Sequence, residues 1–374
     1  MESSKFIIPE IPTSGLARNF EPPPVTIIGS FSNDSKQNFI DGAQNLKYVE
    51  FFEGTKRVFY DLNKAIDYEM YERYERDYIP RRKEANTNLA QLLQWINLHD
   101  KEFLRSRPDF VMLRSVMEKV ATTSYHCRFI DYWRLGAIKK NGTIYFQQII
   151  TKEQLERKMD SIMIKPTAWG YMFKKFILAD EPNEQPDPRR KVSPGVGGYA
   201  VLKTIIGGHN VLYSTKLDGV CAKEGYDLME MNPKKHLQML NNCHLVVLKT
   251  CSKIQQNKLQ HWGFRKNKSR RWWVQGALGG VSNFVVGYRD DVTGLVRDVE
   301  NIPIQDLYKK FGSGWYGETG FQFLGDFLSQ VKQRVLEDET VYVFSFNRNH
   351  QMGPGFEVNF EVSDEGSQYF LSNL

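Results

Sequence analysis

YSTKLDGV, residues 213–220, and HLVVLKT, residues 244–250, are the stretches from which the fold is best read. Both read as strands, and strand side chains alternate between two faces. Lys216 and Asp218 therefore share a face on the first, and Val247 and Lys249 share a face on the second. Working outward, strands are expected at Thr143–Ile150 after an Asn141-Gly142 turn, Tyr199–Ile206, Asn210–Val220, His244–Cys251, Asn283–Tyr288, Val341–Phe346 and Glu357–Val362. Apolar periodicity predicts helices over Asn88–Arg105, Lys152–Met163, Ala168–Leu178 beyond Pro166, Lys268–Leu278 and Gly320–Leu336. A further helix is expected from Phe110 to about Thr122, with Asp109 as its N-cap. Residues 1–24 carry Pro9, Pro12 and Pro22-Pro23-Pro24 and read as an extended N-terminal arm. Asp180–Gly195 is proline-rich and reads as a loop. Helices and strands mix without a regular βαβ beat or a repeat, so residues 25–374 are expected to form one mixed α/β domain.

The chain has 374 residues, of which 41% are hydrophobic, 25% charged and 13% aromatic, which excludes global disorder. No apolar run approaches the roughly 18 residues of a membrane span. The opening MESSKFIIPEIPTS lacks the apolar segment of a secretory leader. Cys127, Cys221, Cys243 and Cys251 form no CxxC pair, so neither a disulfide framework nor a zinc site is expected, even with His244 between the last two. These features point to an intracellular protein of the cytoplasm or nucleus, for which the sequons at Asn33 and Asn141 carry no weight. The net charge of +6 is unevenly spread: Tyr171–Arg271 holds 18 Lys and Arg against 8 Asp and Glu, net +10, and the remainder is net −4. A basic segment in a slightly acidic chain favours a polyanionic partner, although a solvated lysine face would show the same count.

An aspartate followed on a later strand by an acidic-x-Lys pattern is the hairpin of a metal-dependent nuclease. Two carboxylates hold the metal at the scissile phosphate, and the lysine orients water and neutralises developing charge. Here Asp218 and Lys249 are in place, but Val247 stands where the second acid belongs. Alone this is a weak pattern. The wider sequence resembles the DXO decapping exoribonuclease family in motif order from about Ile28 to Phe346. The matching segments are Gly29-Ser30-Phe31-Ser32, Arg114 in VMLRSVMEKV, Gly170-Tyr171-Met172-Phe173-Lys174, Ala179-Asp180-Glu181-Pro182 with Pro186-Asp187-Pro188, Thr215-Lys216-Leu217-Asp218, Val247-Leu248-Lys249-Thr250 and Trp272-Trp273-Val274-Gln275. The resemblance implies two β-sheets, the larger one mixed, flanked by helices with a cleft between them. It also implies RNA as substrate, and magnesium or manganese held by three glutamates and an aspartate.

Three of those four acids are replaced. Lys174, Lys216 and Val247 stand where the family carries Glu, and only Asp218 is retained. With Lys249 the five positions sum to −3 in the family and +2 here. Hard divalent cations want oxygen ligands, and one carboxylate among three ammonium groups does not supply them. The same lysines favour phosphate. The expectation is therefore a degenerate site that binds single-stranded RNA or its 5′ end through Arg114, Lys174, Lys216, Lys249 and Gln275, with no cofactor, no intact catalytic set and no membrane partner. One alternative is an active metal-dependent decapping or 5′–3′ exoribonuclease whose ligands have relocated to Glu224 and Glu230. Another is a protein-interaction scaffold docking a 5′–3′ exoribonuclease or an RNA-silencing protein.

Two further signals are weaker. The run Arg265–Arg271 followed by Trp272-Trp273 interleaves charge with aromatics, as phosphate contacts and base stacking would. An amphipathic helix that buries its indoles explains it better. Residues 312–317 spell GxGxxG but follow a helical segment, so they read as a loop leading into the next helix. His209, His236, His244 and His261 form no readable catalytic set.

Overall fold

The computed structural model describes residues 4–12, 14–16, 20–64, 87–125, 132–149, 164–181, 184–190, 196–221, 232–253, 264–311, 315–347 and 355–363. In chain order the strands are β1 (Ser4–Ile8), β2 (Thr26–Asn33), β3 (Phe39–Asp41), β4 (Tyr48–Val49), β5 (Gly54–Asp61), β6 (Phe110–Leu113), β7 (Tyr132–Lys140), β8 (Thr143–Ile149), β9 (Leu178–Ala179), β10 (Gly197–Ile206), β11 (His209–Leu217), β12 (Gly219–Cys221), β13 (His244–Ser252), β14 (Asn283–Arg289), β15 (Leu295–Pro303), β16 (Val341–Asn347) and β17 (Phe356–Val362). The helices are α1 (Thr87–Leu98), α2 (Asp100–Ser106), α3 (Arg114–Thr123), α4 (Ile164–Ile177), α5 (Pro233–Asn242), α6 (Ser269–Leu278), α7 (Ile304–Phe311) and α8 (Gly317–Lys332). Phe264–Lys268 is a π-helical turn running into α6. No helix among the described residues is long and apolar enough to cross a membrane.

The strands make two mixed sheets. The larger is ordered β1-β17-β16-β7-β8-β6-β11-β10-β2-β3 and the smaller β5-β15-β14-β13-β12-β4-β9. Ser4–Ile8, within the expected arm, is thus an edge strand, paired antiparallel with β17. Buried side chains divide into three groups. One packs α1, through Leu92, Leu93 and Trp95, on the outer face of the larger sheet at Val111, Tyr199 and Leu212. A second joins the inner faces of both sheets to α3, α6, α7 and α8, with Phe110, Trp133, Val120, Trp273, Phe327, Val247 and Phe284 among its members. The third packs α4, through Trp169, Met172 and Phe173, on the other face of the smaller sheet at Val246, Leu248 and Val285. Gly29 is required by the first of these contacts, since a Cβ there would stand 2.2 Å from the Trp95 ring.

Several expectations need correction. Phe110–Leu113 is not helical. It is an interior strand of the larger sheet, parallel to both β8 and β11, and the helix begins only at Arg114. The run FVML is apolar on both faces, as a doubly covered strand requires. Asp109 accordingly caps no helix; its carboxylate accepts a hydrogen bond from the Asn210 N–H at 2.8 Å and pairs with Lys332 at 2.6 Å. The helix expected over Asn88–Arg105 is interrupted at His99 and continues as a second short helix. The strand expected over Asn210–Val220 is two strands in different sheets, broken at Asp218. Pro166 lies in the first turn of α4, where its missing N–H costs nothing. Lys152–Met163, Cys127, His261, Glu224 and Glu230 lie outside the described residues.

Candidate functional site

Asp218 is the one residue between the end of β11, in the larger sheet, and the start of β12, in the smaller one. The chain changes sheets at this residue, so its side chain is placed where the two sheets meet. β12 runs antiparallel to β13 with Gly219 opposite Val246, and this register brings Asp218 alongside the β13 backbone. Asp218 Oδ2 accepts a hydrogen bond from the Leu248 N–H at 2.9 Å. Oδ1 accepts from Lys174 Nζ at 2.5 Å.

Lys174 arrives from α4. Trp169, Met172 and Phe173 tie that helix to Val246 and Leu248, and Lys174 leaves this apolar contact to reach the carboxylate. Burial opposes charge on both partners, but the ion pair outweighs it. Lys174 is held above the ordinary lysine value by Asp218, and Asp218 below the ordinary carboxylate range by Lys174, then Lys249 and the Leu248 N–H.

Lys249 is placed differently. Strand alternation sends Leu245, Val247 and Lys249 to the face of β13 opposite Val246 and Leu248. Its ammonium donates to Gln275 Oε1 at 2.8 Å and stands 5.8 Å from the Trp272 ring centre, both on α6. Burial pulls this ammonium down to about 8; Asp218 and Glu118 favour its charge, and Arg114 and Lys174 oppose it.

Arg114 opens α3 and points back to the larger sheet, where its Nε donates to Thr215 Oγ1 at 2.7 Å. One turn later Glu118 receives Arg114 Nη1 on one oxygen and Arg271 Nε on the other, both at 2.8 Å. Burial pushes Glu118 up, and Arg114 and Arg271 together hold it below its usual value. Among the described residues the cluster therefore holds four cations, Arg114, Lys174, Lys249 and Arg271, against two carboxylates, Asp218 and Glu118.

Of the residues singled out from sequence, Arg114, Lys174, Asp218, Lys249 and Gln275 come together. Val247 is buried in the core beneath them. Lys216 is exposed near the end of β11. It pairs with Tyr199 across β10 and β11, and its Nζ donates to the Val196 carbonyl at 3.3 Å, 6.0 Å from the Tyr199 ring centre. Glu118, Thr215 and Arg271 were not foreseen as a unit. The i,i+4 spacing of Arg114 and Glu118 was the one available signal. Trp272 and Trp273 are both buried, as the packing reading expected.

A divalent metal is what the family resemblance implies, and the donor set does not fit one. Asp218 spends one oxygen on an ammonium and the other on a backbone N–H, while Glu118 spends both on arginines. Among the described residues no three His, Cys, Asp or Glu side chains stand together.

Comparison with known proteins places the chain. Residues 24–372 match the model of the RAI1-like PD-(D/E)XK nucleases. The mouse decapping and exoribonuclease protein is 26% identical over 358 residues, spanning 92% of this chain and 82% of the mouse protein. The human protein of the same name is 26% identical over 356 residues, with the same coverage. Among solved structures, Candida albicans Rai1 in complex with pU5 and Mn2+ superposes with a TM-score of 0.71 at 17% identity, covering 99% of this chain and 96% of that one. Scheffersomyces stipitis Rai1 gives 0.71 at 20% identity, covering 96% and 95%.

Proposed function

The chain belongs to the RAI1-like PD-(D/E)XK nuclease family, and on that premise we propose that it holds the 5′ end of single-stranded RNA without metal-dependent hydrolysis. The family's motif is an aspartate followed by an acid-x-Lys. In this chain Asp218 and Lys249 supply the first and last members, and Val247 supplies no oxygen. The observation that carries the reading is the pairing of Asp218 with Lys174. The remaining acid of the motif is already neutralised by a tethered cation, so the described residues leave no ligand set for magnesium or manganese. Losing the metal removes both the Lewis acid and the means of making hydroxide at neutral pH.

The cations that remain suit a phosphate. Arg114 offers a planar fork and Lys249 a point charge, and neither is consumed by the ion pair at Asp218. A relative from Candida albicans was crystallised with the oligonucleotide pU5, which supports RNA as the ligand class. The relatives named as decapping exoribonucleases support the same class. The test is binding of 5′-phosphorylated single-stranded RNA in EDTA and in manganese. Affinity should be the same in both and should fall as salt rises, because lysine and arginine contacts release counterions. Binding that requires manganese would refute the reading, and the scaffold alternative would gain if no RNA bound at all.

A further inference from the structure

Glu118 is an acid at the centre of a cationic cluster. It is 8% exposed, and each of its oxygens is taken by a different arginine. The two arginines differ in setting. Arg114 is held twice, by Glu118 through Nη1 and by Thr215 through Nε, and its side chain is 12% exposed. Arg271 is held at Nε alone, and its side chain is 73% exposed. An Nε anchor leaves the terminal nitrogens of a guanidinium available, and those form the edge that grips phosphate oxygens in pairs. One carboxylate thus sets two guanidinium groups side by side, the inner one beside Lys249 with Nη2 left to donate and the outer one facing solvent with its terminal fork open.

We propose that Glu118 is a positioning residue that fixes Arg114 and Arg271 as neighbouring donors for two successive phosphates at the RNA 5′ end. Arg114, beside Lys249 and Gln275, takes the terminal phosphate, and Arg271 takes the next. The inference rests on the RNA-binding reading and adds a requirement for an oligonucleotide over a mononucleotide. An unanchored arginine loses rotamer freedom on binding, and an anchored one has lost it already, so the carboxylate raises affinity although its charge repels phosphate. The local charge permits this: with Glu118 and Asp218 included, the cluster still carries two more positive than negative groups.

The experiment compares uridine 5′-monophosphate with 5′-phosphorylated diuridylate on the full chain, by calorimetry at fixed salt. The wild type should bind the dinucleotide about tenfold tighter, the worth of one charge-assisted phosphate contact. Arg271→Ala should reduce that ratio to about two or less, and so should Glu118→Gln, whose neutral amide offers a carbonyl oxygen to only one arginine. A Glu118→Gln protein that melts at lower temperature but keeps the tenfold ratio would make Glu118 merely structural and overturn the proposal. Tighter binding in Glu118→Gln would make it a competitor of phosphate, which also overturns it. If Glu118→Gln does not fold, a full ratio in Arg271→Ala overturns the proposal by itself. A wild type that binds neither ligand would instead sink the RNA-binding reading, and this inference with it.

Discussion

The two lysines of the site live in opposite electrostatic settings 75 residues apart in sequence. At the α4 end, Lys174 is bonded to the Asp218 carboxylate, and both groups are more firmly charged than usual. At the α6 end, Lys249 is bonded to the neutral Gln275 amide, and burial, with Arg114 and Lys174 nearby, brings its ammonium down to about 8. One end is internally satisfied. The other carries a cation whose bonded partner is neutral, and a bound anion would pair with it. An anion-binding site can be built this way, with one charge pair holding the architecture and a second charge left for the ligand.

The sharpest way to break this contrast is to delete each lysine and measure stability. Lys174→Ala leaves Asp218 with an uncompensated charge and should cost about 3 kcal/mol in chemical denaturation. Lys249→Met should do the reverse and stabilise the fold by about 1–2 kcal/mol at neutral pH, because the charged form is disfavoured by folding. The pH dependence has the same sign for both groups and differs in its window. Asp218 has a depressed folded value, so its contribution is present above the ordinary carboxylate range and is lost as pH falls through the folded value. Lys249 has a depressed folded value too, but it is a base. The unfolded chain binds more protons between about 8 and 10.5, so stability rises with pH through that window in the wild type and not in Lys249→Met. Equal destabilisation by both substitutions would erase the contrast.

A smaller effect sharpens it. RNA affinity should fall as pH rises past about 8, by up to tenfold per unit, because phosphate binds the protonated Lys249. Lys249→Met should bind more weakly and show no such step. A profile flat to pH 10 in the wild type would remove Lys249 from the binding surface. The smallest effect belongs to Lys216→Ala. Lys216 is exposed and its Nζ already donates to the Val196 carbonyl, so affinity should drop about threefold or less, with the salt slope falling by no more than about one.

Much of this arrangement was legible before any coordinates. The strands through Tyr199–Ile206, His244–Cys251, Asn283–Tyr288 and Val341–Phe346 follow from β-branched and aromatic runs, and α6 and α8 from apolar periodicity. The motif order identified Asp218, Lys249, Arg114 and Gln275 as neighbours, although they are spread over more than 160 residues. Three things could not be read. FVML at 110–113 satisfies a helical and a buried-strand pattern alike, and its position between β8 and β11 is decided by pairing partners distant in sequence. The passage from one sheet to the other at Asp218 leaves no mark in YSTKLDGV, which reads as one continuous strand. Glu118 carries no signal of its own in the sequence, because its meaning comes from Arg271, 153 residues away.

Restoring the acids tests the same claim from the other side. Lys174→Glu, Lys216→Glu and Val247→Glu together should raise manganese affinity in titration calorimetry, since they surround Asp218 with carboxylates and leave Lys249 in place. Each alone should change little. Activity need not follow, because ligands also require partners that orient them.

The most direct measurement is hydrolysis itself. Purified protein, incubated with 5′-phosphorylated single-stranded RNA in manganese or magnesium, should release no nucleotides or caps above background, and EDTA should make no difference. Metal-dependent release that EDTA abolishes would contradict the account, and Glu224 and Glu230 would then be the first candidates for the missing ligands.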